Sequence, residues 1–404
     1  MHCSSKLSVV SLAGPPACSG IQGWADLPDE LLHSIVSRLG SFQDILGFAA
    51  TCPSWRVAYS SYPSKSMFRK KFPPLLILPR VGVQGPLPST NDCSDVYTCQ
   101  VIDPANPNTT LHCQIPQEIL EKMKCIGSSY GNLIYYRDGY CRIVDVFTGV
   151  EVSAPRLPPS AKCSIYTCHG ILTAPVASPN SHLLISTGSY HESYLFDWPI
   201  GSDSWSQVQL PYSLSTDQIV EFNQFILSDG NGWFHSVQLA PQFCLQEITT
   251  NKDWSQEHRD MTTVVVCGDM LIVFIPVALE LYHLDISTKP ATVMAMEKLD
   301  DWALFLGTEP KSMPLSCMSP EKWGGRSNTS YHAGRGSRPC TRHGFPVLDT
   351  PPVDCDHWNS PPSGPMVDSC SDPWAIRWDG EQRPVRLALP VWLYPSMFYS
   401  HVGE

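Results

Sequence analysis

The sequence predicts an α+β multidomain protein in which a small module of three helices precedes a larger, mainly antiparallel β domain. Three observations predict this architecture. Helical spacing of apolar residues is strongest between residues 24 and 62, short β-rich runs separated by turn residues follow residue 72, and most of the 37 prolines interrupt that later part. We expect the β domain to be a β-propeller of six or seven blades with an irregular last blade.

Composition and charge narrow the classes of function. Hydrophobic residues make up 43% of the 404 residues and charged residues 16%, which favours folded domains over a wholly disordered chain. The net charge of −11 argues against a nucleic-acid partner. The 16 cysteines include no CxxC pair, so we expect reduced thiols in a protein of the cytoplasm or nucleus, with no metal and no cofactor.

No membrane segment is predicted, although residues 262–279 are strongly apolar. Gly268 and Asp269 stand near the middle of this stretch and Pro276 near its end. Two buried strands around a tight turn explain this pattern better than a helix that spans a bilayer.

The first helix is predicted over residues 26–40. Pro28 suits the first helical position, and Gly40 supplies a stop at the other end. Apolar residues between them fall at spacings that build one stripe. The residues of this stripe are Leu31, Leu32, Ile35, Val36 and Leu39.

Two further helices follow in the predicted module. Ser41 can cap the second helix, with Asp44 three residues later. Pro53 ends that helix and can open a third one, which carries Trp55. Three short helices bury little apolar surface, so the module needs either a partner or the rest of the chain against its stripe. Periodicity alone leaves these two interpretations equal.

An ordered series of residues in this module favours the interpretation in which a partner covers the apolar stripe. Leu27-Pro28-Asp29-Glu30-Leu31-Leu32, then Asp44-Ile45-Leu46, Ala50-Thr51-Cys52 and Trp55-Arg56, resembles the F-box motif of plant F-box proteins over residues 24–62. The resemblance implies binding to a Skp-family adaptor and, through it, to a cullin. The positions that would meet the adaptor or support that surface are Leu27, Pro28, Leu31, Ile35, Leu39, Ile45, Leu46, Cys52 and Trp55.

The segments around this module are expected to lack regular structure. We assign residues 1–23 to a disordered tail and residues 63–74 to a linker. The linker contains the basic run from Lys65 to Lys71, which we interpret as a solvated domain boundary. The propeller then covers residues 75–404.

Short β-rich runs and a loose repeat predict the propeller. The repeated unit is a strand that ends in an aspartate, followed by a polar turn and a second strand. The first interval between these aspartates is about fifty residues, and the second is about twice forty-four. Both lengths suit four-stranded propeller blades. A tandem of β-sandwiches remains the alternative. The repeated aspartates are Asp145, Asp197, Asp285 and Asp379.

A second resemblance covers most of residues 72–404. The chain is similar to plant F-box proteins, many of them from grasses, that carry the KIB-type β-propeller. In similar proteins an aromatic, strand-like run follows the Gly324-Gly325-Arg326-Ser327-Asn328 segment, whereas residues 329–373 have little β pattern here. We therefore expect either a long insertion or a damaged last blade, which would leave the ring open. The other segments that carry the resemblance include 101–104, 126–131, 144–149, 183–187, 195–199, 219–223, 304–307 and 391–396.

The sequence contains no catalytic motif: neither a GxSxG elbow, a P-loop, an HExxH pair nor a GxGxxG that opens a helix. Together with this absence, the F-box resemblance implies a non-catalytic substrate adaptor of a Skp–cullin–F-box ubiquitin ligase, with an unknown target protein on the propeller. The alternative is a stand-alone binding module with a vestigial F-box. One set of cysteines and histidines lies within about thirty residues, but its spacing is too irregular to be interpreted as a zinc site. The set comprises Cys340, His343, Cys355, His357 and Cys370.

Overall fold

The computed structural model divides into two units, Met1–Tyr62 and Pro63–Glu404. Each unit is described by itself below. The residues that the structure describes are 23–82, 96–106, 110–159, 168–188, 193–210, 218–222, 224–229, 232–239, 242–252, 254, 262–275, 278, 280–307, 313–332, 340–342 and 391–399.

The first unit contains the three predicted helices, α1 (Asp29–Val36), α2 (Phe42–Thr51) and α3 (Pro53–Ser60). Helix α1 is shorter at both ends than predicted. Pro28 is its N-cap and not its first residue, because its ψ of 147° is extended and not helical. A 3₁₀ turn, Trp24–Asp26, precedes it. The helix ends before Gly40 because the Arg38 and Leu39 amides bond to carbonyls three residues earlier.

The other helix boundaries agree with the capping signals. The Ser41 hydroxyl accepts a hydrogen bond from the Asp44 amide at 3.1 Å and donates one to the Asp44 carboxylate at 2.7 Å. Pro53 is the first residue of α3, where its missing N–H costs nothing. The core of the unit consists of Leu32, Val36, Phe42, Ile45, Phe48, Ala58 and Tyr59.

The described residues of the second unit form six four-stranded sheets, so the propeller has six blades. Helices α4 (Met67–Lys71) and α5 (Gln117–Lys122) accompany them. The strands of blades 1 to 3 are β1 (Leu75–Gly82), β2 (Val96–Ile102), β3 (Thr110–His112), β4 (Lys124–Ser129), β5 (Asn132–Arg137), β6 (Tyr140–Asp145), β7 (Glu151–Ser153), β8 (Cys168–Leu172), β9 (His182–Gly188), β10 (Ser193–Pro199) and β11 (Ser206–Leu210).

The remaining strands complete blades 4 to 6 and return to blade 1. Each of blades 2 to 5 takes four consecutive strands, all antiparallel. The strands are β12 (Gln218–Phe222), β13 (Gln224–Ser228), β14 (Phe234–Gln238), β15 (Cys244–Ile248), β16 (Thr263–Cys267), β17 (Met270–Ile275), β18 (Glu280–Asp285), β19 (Thr292–Met296), β20 (Trp302–Leu306), β21 (Leu315–Met318), β22 (Thr329–His332), β23 (Cys340–Arg342) and β24 (Val391–Leu393).

The ring is closed by strands that are far apart in the sequence. Strand β24 pairs antiparallel with β1, so blade 1 has the order β24-β1-β2-β3. The innermost strands β24, β4, β8, β12, β16 and β21 contact one another in that order around the axis. Between the ends of this series, the Tyr394 hydroxyl donates to the Ser316 carbonyl at 3.0 Å.

Blade 6 confirms the predicted irregular last blade and shows that, of the two explanations, a damaged blade is wrong. Its order is β21-β20-β22-β23, and β22 runs parallel to β20, so the blade is complete but irregular. Strand β22 is mostly polar and short, which hides it in the sequence. Its Tyr331 ring stacks on Phe305 at 5.0 Å between centroids and anchors the strand in the core. The rest of the suspected insertion, residues 333–339 and 343–373, lies outside the described residues.

The basic run is also not the solvated boundary that we expected. Residues 67–71 form α4, which is amphipathic and packs on the propeller. The buried ring of Phe68 lies 5.8 Å from Phe72 and 5.6 Å from Phe398, between centroids. The apolar face of the helix is therefore buried although its last turn carries three cations.

The repeated aspartates occupy equivalent places in the propeller. Asp145 and Asp285 end the third strands of blades 2 and 5, and Asp197 lies in the third strand of blade 3. The Asp145 carboxylate accepts the Phe147 and Thr148 amides at 3.0 and 2.8 Å, and so fixes the turn that follows. Asp379 lies outside the described residues.

Candidate functional site

The nine predicted adaptor-binding residues differ in exposure. Pro28 and Leu31 are exposed, and Leu31 leaves 54% of its surface open. Ile45 is completely buried and can only support the surface from within. The other six are half-buried: Leu27, Ile35, Leu39, Leu46, Cys52 and Trp55.

Two more apolar side chains are exposed on the first unit. Trp24 leaves 76% of its surface open and Val57 62%, and neither belongs to the nine predicted residues. Single exposed apolar side chains are common, but three large ones in a unit this small favour a surface that a partner covers. Val57 lies between Trp55 and Tyr59 in α3, and nothing in this mixed sequence marks the valine as exposed.

Trp55 serves the internal packing of the unit. Its indole N–H donates to the Trp24 carbonyl at 2.9 Å, and its ring lies 4.6 Å from that of Phe48. The neighbouring Ser54 hydroxyl donates to the Ala25 carbonyl at 2.7 Å. Helix α3 therefore holds the segment that leads to Leu27 and Pro28.

In the second unit, side chains of the innermost strands bond to the backbone of the next blade. The Ser129 hydroxyl of β4 accepts the Leu172 amide of β8 at 2.7 Å. The Gln218 side chain of β12 accepts the Val264 amide of β16 at 2.7 Å. These bonds fix the spacing of the inner strands, which leaves a cavity along the axis.

This central cavity has a volume of about 450 Å³. That is within the range of about 300–1,000 Å³ in which ligand pockets usually fall. All six innermost strands and α4 contribute to its wall. Representative residues, one from each strand, are Ser128, Ile171, Val220, Val266, Leu315 and Leu393.

A polar network lies at one part of the cavity wall. The Tyr130 hydroxyl donates to the Glu221 carboxylate and lies 3.3 Å from the Thr173 carbonyl. Burial, together with the neighbouring Glu221 charge, raises the pKa of Tyr130. The phenol therefore keeps its proton at neutral pH and holds the carboxylate in place.

Arg69 of α4 also lies in this wall, and its side chain forms a hydrogen bond with that of Tyr399. Its guanidinium carbon lies 4.6 Å above the Tyr399 ring, which in turn meets the Tyr130 ring at 4.7 Å. Among the described residues, no acceptor lies within hydrogen-bond distance of the buried Arg69 Nε. With Lys70 also in the wall, the cavity offers donors for an acceptor group of a partner.

Comparison with known families identifies both units. A model described as the KIB1-4 beta-propeller matches residues 99–333, which is more than half of the chain. The chain belongs to the KIB1-4 β-propeller family. A second model, described as F-box-like, matches residues 24–62. The F-box and the KIB-type propeller of the resemblance are thereby confirmed, whereas its plant and grass origin stays a prediction.

No curated protein matches the chain. One similar solved structure is an uncharacterized protein from Listeria monocytogenes EGD-e, with 11% identity and a TM-score of 0.27. The match covers 48% of this chain and 60% of that one, and a likeness at this level carries no argument.

The KIB1-4 match and the structure complement each other. The matched range begins within β2 and ends just after β22. Strands β1 and β24, which close the ring, lie outside it and are assigned from the structure alone. F-box and propeller families are typically interaction modules without enzymatic activity, in agreement with the absence of a catalytic motif in the sequence.

Sequence reasoning missed the residues of the cavity wall. Arg69 belongs to the basic run that we interpreted as solvated, and Glu221 lies in a segment quoted only for the family resemblance. Of the irregular Cys and His group, only Cys340 falls among the described residues. The part of the chain that the structure describes holds neither a cluster of three metal-binding side chains nor a helix long and apolar enough to cross a bilayer.

Proposed function

We propose that this chain is a substrate-recognition adaptor of a Skp–cullin–F-box ubiquitin ligase. The F-box-like unit binds a Skp-family adaptor and through it a cullin, while the propeller binds a target protein in the cytoplasm or nucleus. The observation that carries this proposal is the combination, in one chain, of an F-box-like unit with exposed apolar side chains and a closed KIB1-4 propeller. Ubiquitin transfer is accelerated by proximity and not by side chains of this protein.

The adaptor surface is the part most open to test. Burying an exposed leucine contributes about 1.5–3 kcal/mol, so a few such residues dominate an interface of this kind. Leu31 is suitable for mutation because more than half of its surface is open, so a polar replacement leaves the helical core intact.

We expect the wild-type chain to co-elute with a purified Skp-family adaptor on gel filtration. The Leu31→Glu variant and the Leu27→Ala, Pro28→Ala double variant should lose this co-elution, because each removes apolar contacts at the predicted surface. Val150→Glu is the matched control, since Val150 of the propeller is exposed to 62%. It should co-elute like the wild type.

A folded, monodisperse wild-type chain that fails to co-elute would refute the ligase role. The stand-alone binding module would then be the better description. If Leu31→Glu still binds while the double variant does not, the adaptor surface excludes the exposed face of α1.

For the propeller, we propose that a target inserts an acidic or carbonyl group into the central cavity and bonds to Arg69. The positions of Arg69 and Lys70 in the cavity wall, with the Arg69 guanidinium held over the Tyr399 ring, support this role. Arg69→Gln should therefore reduce the ubiquitinated proteins that depend on the wild-type chain in cells, while co-elution with the Skp-family adaptor is unchanged. Val150→Glu again serves as the control. Equal recovery of the same proteins by Arg69→Gln would place target binding elsewhere on the propeller.

A further inference from the structure

Two cysteines of blade 1 face each other across neighbouring strands. Cys99 lies in β2 and Cys113 directly follows β3. These strands are antiparallel, and their register pairs Gln100 with His112 and Val101 with Leu111. One step further along the same register, Cys99 stands opposite Cys113.

The side chains bear out this register. The Cys113 thiol donates to the Cys99 carbonyl at 3.2 Å, and the two side chains lie close enough for each to shift the pKa of the other. Opposite residues of an antiparallel pair have Cα atoms about 4.5–5.5 Å apart, and a disulfide accepts about 4.4–6.8 Å. A bond between the two sulfurs therefore requires little movement of the backbone.

The environment distinguishes the two thiols chemically. When Cys113 is ionised, a hydrogen bond from the Cys99 side chain stabilises its thiolate, and this lowers the pKa of Cys113. The same interaction, with burial, raises the pKa of Cys99 and keeps its proton in place as the donor. Both residues are half-buried, so small oxidants can approach them. Since thiolates are the reactive form, Cys113 is the nucleophile of the pair.

We propose that Cys99 and Cys113 form a peroxide-sensitive dithiol that closes to an intrachain disulfide. The Cys113 thiolate attacks one oxygen of hydrogen peroxide; the S–O bond forms, the O–O bond breaks, and hydroxide leaves and is protonated to water. Cys99, losing its proton, then attacks the sulfur of the Cys113 sulfenic acid. The S–S bond forms and the S–O bond breaks with loss of a second water. Two thiols and one peroxide thus give one disulfide and two waters.

The disulfide would fix the edge of blade 1. Strand β3 is three residues long and is the outermost strand of its sheet, paired only with β2. A covalent link beside this short pairing prevents β3 from separating from the sheet. In a reducing compartment such a bond is transient and reports on oxidation, in contrast to the permanent bonds of secreted proteins.

Two other cysteines provide comparisons within the same chain. Cys244 begins β15 and is half-buried like the pair, but the residue opposite it is Gln238. It can be oxidised to a sulfenic acid but has no thiol across the strand. Cys125 of β4 is the third thiol near the pair, close enough for its ionised form to raise the pKa of Cys99. It is the competing partner that an experiment must distinguish.

The test treats the full-length wild-type chain with hydrogen peroxide and alkylates the remaining thiols. Chymotrypsin, which cleaves after Tyr97 and Leu111, separates the two cysteines before non-reducing mass spectrometry. We expect both thiols to disappear from the alkylated pool together, a cross-linked Cys99–Cys113 peptide to appear, and a reductant to reverse both changes. In the Cys99→Ser variant, Cys113 should accumulate as a sulfenic acid that a dione probe traps.

Two results would overturn the proposal. One is a cross-link that joins Cys113 to Cys125. The other is the absence of any cross-link at peroxide concentrations that already oxidise Cys244. Because the main measurement uses the wild-type chain, it holds even if a cysteine variant fails to fold.

Discussion

Replacing Trp392 with alanine is expected to lower the free energy of unfolding of the propeller by about 3–5 kcal/mol. The indole is completely buried, and its ring meets that of Phe305 at 5.0 Å between centroids. Its N–H donates to the Leu306 carbonyl at 3.1 Å. The substitution leaves a large cavity and removes a buried hydrogen bond in the same step.

The position of Trp392 makes this loss more serious than an ordinary core truncation. It is the central residue of β24 and pairs with Leu76 of β1, while Phe305 belongs to blade 6. One side chain therefore joins the first and last blades. Denaturant unfolding followed by circular dichroism measures the effect.

Trp392→Phe is the matched control for this prediction. The smaller ring retains most of the apolar contacts but leaves the Leu306 carbonyl without its donor, for which we expect a loss of about 1–3 kcal/mol. If the alanine variant loses no more than the phenylalanine variant, β24 does not close the ring as the structure shows.

Gly127→Ala is the second substitution with a large expected effect. A Cβ at this position would lie 1.8 Å from the Gly170 carbonyl oxygen, so the inner strands β4 and β8 would have to move apart. Overpacking of a fixed core costs about 1–3 kcal/mol and occasionally more, and here the obstacle is backbone and not a side chain that can rotate. We expect a loss at the upper end of that range, measured by denaturant unfolding.

Gly47→Ala tests the same chemical change where space is free. Gly47 lies within α2, and no atom would come within 4 Å of its new Cβ. Alanine is favoured over glycine in a helix by about 0.5–1 kcal/mol, so protection of the α2 amides from hydrogen exchange should increase. A Gly127→Ala chain as stable as the wild type would show that β4 and β8 do not approach as closely as described.

The helices could be predicted where the signal was local. Ser41 and Pro53 act on their own turn of helix, and both mark the boundaries at which α2 and α3 begin. The end of α1 could not be predicted. Gly40 is a typical C-terminal stop, but the i→i−3 hydrogen bonds of the Arg38 and Leu39 amides end the α-helix before that residue. Helix α4 was missed because its cations dominate the pattern, whereas Phe68 alone carries the packing.

The β domain could be predicted as a propeller but not as six blades. The repeated aspartates mark the third strands of blades 2, 3 and 5. The third strand of blade 4 has no aspartate at the equivalent place, so the repeat does not give the number of blades. The parallel pairing of β22 with β20 depends on contacts between separate strands, which no local pattern encodes. Likewise, the family resemblance named Ile45 and Leu31 together, and only the structure shows that one is buried and the other exposed.

The pairing of β24 with β1 also has a consequence for synthesis on the ribosome. Blade 1 takes three strands from the beginning of the propeller and its innermost strand from residues 391–393. Translation at about 5–20 residues per second separates their emergence by an interval on the order of tens of seconds. During that time β1 presents an unpaired edge, which other chains can bind. A nascent propeller of this design therefore has to be protected from aggregation until its last strand arrives.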